Sequence, residues 1–382
     1  MLTFKAISQL EVELGFRAVS MCACRLHQCT PHEMDEGKVQ QNNGQNQLAA
    51  VLNSDPEDLR MIKRRKRRRQ QKEDESIFAK CGLLQLENTT RDELEKEISN
   101  SKVYDHDGII ALNKPAGVPV TGTSQDRGNI ADILPQVAES IGKPAAEIAK
   151  AADRYSSGLL LLGECKQTAT ALNDTFLKAR RRNQLIRKYW ALTVGIPSPV
   201  QGTIDIPIGS EKIGDHTLML PRRHASKGNF EHKDVVPCRT DYQLLSANQD
   251  LNCSLLELQP LKLQKLQFQV HLSNKLCSIL GDRLYSNQIQ DILGVPVLVD
   301  PHQAAIGTQN IPAAIQKALG LRAWHMARLP LFLHWYQVTL PSWRNKKDVS
   351  IKAAPPGYFI EALQRLGLYS QEVQENIMND GV

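Results

Sequence analysis

The chain has 382 residues, 41% of them apolar, with 47 Lys and Arg against 41 Asp and Glu, for a formal net charge of +6. That length and apolar content support a large core in one big domain or two ordinary ones, and the positive balance fits a polyanionic partner. No run reaches the about eighteen apolar residues of a membrane span, the N-terminus lacks a secretory core, and the eight scattered cysteines exclude a secreted disulfide framework.

Residues 1–95 read as an N-terminal extension. Lys5, Arg17 and Arg25 are interspersed with Leu2, Phe4, Ile7, Leu10, Leu14 and Phe16 in the manner of a mitochondrial presequence, against which Glu11 and Glu13 count. Cys22, Cys24 and Cys29 lie near His27 and His32, but C-x-C-x4-C matches no common zinc spacing, and no metal is expected. Residues 30–48 are polar and bury little. The run Lys63-Arg64-Arg65-Lys66-Arg67-Arg68-Arg69 repels itself and stays solvated; an RNA-contacting arm, a nuclear import signal and a solvated helix face all account for it.

Globular patterning begins near Val103, and a single domain over 96–370 is expected. Gly108 to Leu112 reads as a short buried strand, ended by a turn at Asn113-Lys114-Pro115-Ala116-Gly117. Pro115 holds Lys114 extended and Gly117 permits the bend. The spacing predicts helices over 129–141 and, after Pro144, over 145–152. A third, over 166–182, aligns Ala169, Leu172, Phe176 and Ala179 on one face and ends in Lys178, Arg180, Arg181 and Arg182. Arg187 and Lys188 lead into a strand, Tyr189 to Val194, and a hairpin-like region carries Gly202, Gly209, Gly214 and Pro221. A strand at Leu255–Leu258, a helix over Gln264–Leu280, a strand near Leu333–Leu340 and a helix over 357–367 complete the chain. Strands and helices do not alternate regularly, which predicts an α+β fold.

The stretch Asp153-Arg154-Tyr155-Ser156-Ser157-Gly158 runs straight into four leucines, Leu159 to Leu162. A buried strand after a glycine is expected, with Asp153 on the turn that feeds it. Two roles are open to Asp153: a reactive carboxylate at a cleft, or a turn cap supported by serine. His271 reads as satisfying a buried hydrogen bond, and His334 as packing.

Four segments stand in a recognisable order: Asn113 to Gly117, Asp153 to Leu162, Lys188 to Gly195, and Gln267 to Leu272 followed by Gly281-Asp282-Arg283-Leu284-Tyr285. This order resembles the RluA-type RNA pseudouridine synthases over roughly residues 100–345, and Leu266 to Ser286 is most similar to the animal mitochondrial branch of that family. The resemblance implies a mixed, mostly antiparallel sheet with flanking helices and a basic RNA-binding cleft. It implies isomerisation of uridine to pseudouridine in mitochondrial RNA, mRNA or rRNA, without cofactor or metal. The location implied is the mitochondrial matrix, with the nucleus or nucleolus as the alternative that the basic run leaves open.

On that resemblance Asp153 is the catalytic carboxylate and Tyr189 stacks on the extruded base. Lys178, Arg180, Arg181, Arg182, Arg187 and Lys188 meet RNA phosphates. Lys114, Ser157, Gln264, Gln267 and Tyr285 support the cleft. Two departures stand out. Where the family reads His-Arg-Leu-Asp, this chain has Lys150, Ala151, Ala152 and Asp153, so a base-flipping arginine is missing at 151. Where the family has Gly-Arg-x-His-Gln, it has Leu263, Gln264, Lys265, Leu266 and Gln267, so the arginine that pairs with the aspartate is a glutamine; Lys265 and Arg154 are candidate substitutes. These losses bear on rate more than on fold, and leave open a catalytically weak RNA-binding or mitoribosome-assembly factor that keeps the synthase fold.

Overall fold

Thr90 caps helix α1, Arg91–Asn100: its hydroxyl accepts the Glu93 amide (3.3 Å) and its own amide donates to the Glu93 carboxylate (2.9 Å), a reciprocal cap. The computed structural model describes residues 76–77, 89–122, 129–232 and 234–378. The presequence-like segment, the Cys22, Cys24 and Cys29 group and the basic run at 63–69 lie outside the described residues.

Strands β1 (Lys102–His106) and β2 (Ile109–Lys114) form a hairpin, followed by helix α2 (Ile130–Ser140), β3 (Glu147–Ala151), β4 (Ser157–Gly163), helix α3 (Lys166–Arg181) and β5 (Arg187–Val194). Next come β6 (Gln201–Asp205), β7 (Ile208–Ile213), β8 (His216–Pro221), β9 (Val235–Val236), β10 (Arg239–Asn248) and β11 (Cys253–Pro260). Helix α4 (Gln267–Ser273), β12 (Ser278–Ile279), β13 (Ile289–Ile292), β14 (Val295–Leu298), β15 (Leu333–Leu340), β16 (Val349–Lys352), and helices α5 (Gly357–Arg365) and α6 (Gln371–Met378) follow.

Among the described residues the main sheet has eleven strands, in the order β1-β2-β4-β15-β5-β11-β10-β6, with β3, β16 and β12 added beside β4, β15 and β5. Its pairs are antiparallel except β15 with β4, which run parallel through His334 opposite Ser157 and Trp335 opposite Gly158. β3 takes the same edge of β4 further along, from Leu160 to Gly163. The edge of β4 therefore changes partner at Leu159, and the chain between β3 and β4, which carries Asp153, emerges there. This is an α+β architecture, as the irregular alternation of elements implied.

The alternation of side chains along the strands divides the core. One face joins Ala111, Leu159, Leu161, Tyr189 and Trp335 to Leu172, Phe176 and Ala179 of α3. On the other face, Ile110, Leu112, Leu160 and Leu162 meet Ile133 and Val137 of α2 and Leu94 and Ile98 of α1. Further along the sheet, Trp190 and Leu192 meet Phe359 and Leu363 of α5.

Two expected helices differ. Within 145–152, Glu147–Ala151 form strand β3 instead of a helix. Alanines favour a helix locally, but Ile148 and Lys150 to Ala151 hydrogen-bond along β4 across a bulge, and tertiary pairing decides. The helix expected over Gln264–Leu280 is only Gln267–Ser273: Leu266 (φ 59°) and Leu276 (φ 58°) adopt left-handed backbone on either side, and Ser278–Ile279 joins the sheet.

Candidate active site around Asp153

The turn that presents Asp153 is built by its own carboxylate. Oδ1 accepts the amides of Tyr155 (2.8 Å) and Ser156 (3.3 Å), and the Ser156 hydroxyl donates to the Asp153 carbonyl (3.3 Å). The two readings of Asp153 thus coexist in one side chain: Oδ1 caps an Asx turn, while Oδ2 accepts no hydrogen bond among the described residues.

Lys114 braces the turn from beneath. Its fully buried ammonium donates to the carbonyls of Ser156 (2.8 Å), Pro115 (2.9 Å), Val118 (3.2 Å) and Arg154 (3.5 Å). Burial pushes it down to about 7, and the Asp153 carboxylate works in the opposite direction. The carbonyl cage favours the protonated form, because only an ammonium offers three donors and no lone pair to those oxygens. The Gly117 amide closes the same junction on the Arg154 carbonyl (2.7 Å).

Behind the turn, the Ser157 hydroxyl meets His334 Nδ1 (2.9 Å), and His334 Nε2 meets the Ala353 carbonyl (2.8 Å). Burial pushes His334 down to about 4, so the ring is neutral and structural. Gly158 has φ +114°, and a Cβ there would run into the Trp335 backbone. A glycine is needed at this position for the parallel contact beside Asp153.

Two cavities meet at Asp153. The larger, about 490 Å³, is lined by Pro119 to Gly122 and Ile148 to Arg154. The smaller, about 210 Å³, is lined by Asp153, Ser156, Tyr189, Leu263 to Gln269 and Leu333. Tyr189 reaches the smaller one from β5 but is only 1% exposed. Its ring stacks on Trp335 (5.6 Å between centroids, 14° between planes) and tilts against Phe268 (4.9 Å). Its buried hydroxyl makes no hydrogen bond of good geometry, although the Arg187 side chain lies within interacting reach of it, and Arg187 Nε is buried without a partner. Burial raises the phenol well above its ordinary range; the nearby Arg187 charge opposes this and Asp153 adds to it.

Gln264 and Gln267 shape the wall of the smaller cavity. Gln267 Oε1 accepts the Gln264 amide (2.9 Å), and Gln267 Nε2 donates to Thr240 Oγ1 (2.8 Å) and the Arg239 carbonyl (3.1 Å). Gln264 Nε2 is buried without a partner. His271 bridges Thr240 Oγ1 (2.9 Å) and the Ile206 carbonyl (3.1 Å), the buried hydrogen-bonding role read from the sequence. Tyr285 lies elsewhere: it packs with Ile208, Leu218 and Val270, and its hydroxyl accepts the Met219 amide (2.9 Å). Asp282 caps the same turn through the amides of Leu284 and Tyr285, and burial pushes its carboxyl up to about 6.

The predicted cations divide into three kinds. Lys178, Arg180, Arg181 and Arg182 are exposed at the C-terminal end of α3, where the helix dipole favours positive charge. Lys188 is held by Glu257 (3.0 Å). Arg187 is half-buried and lies over the Phe176 ring (5.3 Å). Of the candidate substitutes for the absent arginines, Lys265 lines the smaller cavity from an exposed position, and Arg154 lies over Tyr155 (5.5 Å). The sequence reading gave Lys150 no role, yet it lines the larger cavity with Asp153. Its pairing with Arg187 depends on β3 being a strand, which the alanine-rich sequence hid. Among the described residues, no group of three or more metal-ligating side chains is present, and no helix is long and apolar enough to cross a membrane.

The fold places a carboxylate on a braced turn, beside a buried tyrosine, with exposed cations at the end of α3. The family model for RNA pseudouridylate synthase matches residues 108–274. The mouse mitochondrial mRNA pseudouridine synthase Rpusd3 is 32% identical over 76% of this chain and 84% of its own length. The bovine mitochondrial pseudouridylate synthase RPUSD4 is 32% identical over 74% of each chain. The solved structure of human RNA pseudouridylate synthase domain containing 4 superposes with a TM-score of 0.55 at 27% identity, over 72% of this chain and 95% of that one. The chain belongs to the RNA pseudouridine synthase family: it is an enzyme that isomerises uridine in RNA to pseudouridine.

Proposed function

We propose that this chain pseudouridylates mitochondrial RNA, mRNA or rRNA, with Asp153 as the catalytic carboxylate. One observation carries this reading: the turn holds Asp153 Oδ1 with two amides and leaves Oδ2 without a hydrogen-bond partner among the described residues, on a carboxylate that lines one cavity with Tyr189. A uridine in folded RNA must leave its stack to reach that oxygen. The carboxylate then attacks or deprotonates the ribose, the C1′–N1 bond breaks, the freed uracil turns, and C1′ rejoins it at C5. The C5 proton is lost and N1 gains one, so atoms balance without cofactor or metal.

Tyr189 lines the cavity that receives the base, and stacking on its ring requires Trp335 or Phe268, which cover it, to shift. Lys178, Arg180, Arg181 and Arg182 take the RNA backbone at the exposed end of α3. Lys114 and Ser157 hold the aspartate turn, and Gln264 and Gln267 hold the opposite wall. The catalytic domain spans residues 96–370, and residues 1–95 act as a targeting and basic arm. The naming of the relatives as mitochondrial supports a mitochondrial address, and the matrix is the compartment we propose. A fluorescent fusion of residues 1–95 tests this: mitochondrial signal supports the proposal, and a nuclear or nucleolar signal overturns it.

The test of function is tritium release from C5-labelled uridine in total mitochondrial RNA, comparing the intact protein with Asp153→Asn. Release that disappears in the variant supports the assignment. No release from the intact protein, with RNA still bound in a salt-sensitive way, favours an RNA-binding or mitoribosome-assembly factor, the reading to which Ala151 and Gln264 lend weight.

A further inference from the structure

Lys150 on β3 and Arg187 on β5 converge on one aromatic ring. The Lys150 ammonium lies 5.7 Å and the Arg187 guanidinium carbon 5.3 Å from the centroid of Phe176. Both side chains are partly buried, and no carboxylate pairs with either among the described residues. The neighbouring Lys188 shows the contrast, since Glu257 neutralises it at 3.0 Å. Burial and then the Arg187 charge push the Lys150 ammonium below its ordinary range, so the two cations act on one another. Arg187 Nε is moreover buried without a partner. Two like charges brought together, partly out of water, with a donor unspent, are costly unless an anion completes them.

The position of the pair identifies the anion. Lys150 and Asp153 line the same 490 Å³ cavity, and Arg187 and Asp153 both act on the Tyr189 hydroxyl. We infer that Lys150 and Arg187 form a single phosphate cradle, which receives one backbone phosphate of the RNA beside the uridine delivered to Asp153. This rests on the proposed RNA chemistry at Asp153 and adds to it a built contact, distinct from the exposed cations of α3. The ring of Phe176 lies within cation–π range of both cations, at 5.7 and 5.3 Å from its centroid. Trp335 meets Phe176 edge-on (6.4 Å, 71°) and stacks on Tyr189, which ties the cradle to the base wall.

The test is the salt dependence of binding of a uridine-containing oligoribonucleotide by the full chain, as wild type, Lys150→Gln, Arg187→Gln and the double variant. Each neutralised phosphate contributes about 0.7 to the slope of log affinity against log salt for single-stranded RNA. One shared phosphate predicts that each single variant weakens binding but keeps nearly the wild-type slope, because the remaining cation still neutralises the phosphate, and that the double variant flattens the slope by about 0.7. A wild-type slope in the double variant overturns the cradle, because the cations then serve only to pack on Phe176. A loss in the double variant twice that of either single variant also overturns it, because the contacts are then independent. Should the glutamine variants unfold, Lys150→Met and Arg187→Met keep the aliphatic cover of the ring and carry the same test. The proposed function fails separately: the wild type would then bind with its full slope and release no tritium.

Discussion

Lys114 and Asp153 hold one turn from opposite sides. The Lys114 ammonium binds the carbonyls of Arg154 (3.5 Å) and Ser156 (2.8 Å), while the Asp153 carboxylate takes the amides of Tyr155 (2.8 Å) and Ser156 (3.3 Å). The backbone that orients the carboxylate is thus gripped at its oxygens by one charge and at its nitrogens by the other. Replacing Lys114 with Met keeps the apolar stem and removes the donor from four buried or partly buried carbonyls. A loss of about 3–5 kcal/mol in urea unfolding is expected, together with loss of pseudouridine formation as the turn relaxes.

The same lysine gives a pH signature. Its folded value is depressed to about 7 from 10.5, chiefly by burial. Between those two values the unfolded chain holds the proton that the folded chain has released, so stability rises with pH across that window. The contribution is fully present above the unfolded value and is lost as pH falls through about 7. Unfolding free energies measured from pH 7 to 10 should therefore rise more steeply in the wild type than in Lys114→Met. Asp153→Asn removes the charge that supports the ammonium, so its window should extend to lower pH. Equal slopes in wild type and Lys114→Met would show that Lys114 stays charged throughout.

Gly158 tests the parallel contact. Its φ of +114° and the absence of room for a Cβ against the Trp335 backbone make Gly158→Ala both strained and overpacked. Stability should fall by about 3 kcal/mol or more, and activity should fall further, because β4 carries the Asp153 turn directly. Thermal melts and tritium release, read together, check this.

The Tyr189 hydroxyl is buried beside Arg187 and Asp153, with Arg187 in reach but no hydrogen bond of good geometry. An unsatisfied buried polar group costs about 1–3 kcal/mol, so Tyr189→Phe should melt at the wild-type temperature or above it. Pseudouridine formation should nonetheless fall at least about tenfold, corresponding to about 1.4 kcal/mol of transition-state stabilisation, if the hydroxyl is held for the substrate. A variant with full activity would assign Tyr189 to packing and base contact through its ring alone.

The sequence made Asp153 legible because a turn-forming Asp-x-x-Ser-Ser-Gly precedes a fully apolar strand, and the structure places both the turn and β4 there. It left β3 hidden, because Ala145, Ala146, Ala149, Ala151 and Ala152 favour a helix locally and only pairing with β4 overrides them. With β3 hidden, Lys150 could not be placed opposite Arg187 over Phe176, and the charge near Asp153 looked poorer than it is. The burial of Tyr189 was likewise invisible, since Trp335 and Phe268, which cover it, lie far away in the chain.

The relocated charge can be tested against the family's own arrangement by Gln264→Arg. Gln264 stands where the resemblance implies an arginine, lines the smaller cavity with Asp153, and has an amide nitrogen without a partner. Were the site simply short of positive charge, the new arginine would raise the rate. Arg187 and Lys150, however, already stand near Asp153 and Tyr189 without carboxylate partners. A third cation on the other side of Asp153 adds repulsion to a partly buried pair. Gln264→Arg should therefore leave the wild-type rate level or lower, yet restore part of the rate lost in Arg187→Gln, where it replaces a charge instead of adding one. Single-turnover tritium release from the two single variants and the double variant measures this coupling as a double-mutant cycle. A rate gain in Gln264→Arg alone would instead show that the chain lost its arginine without compensation.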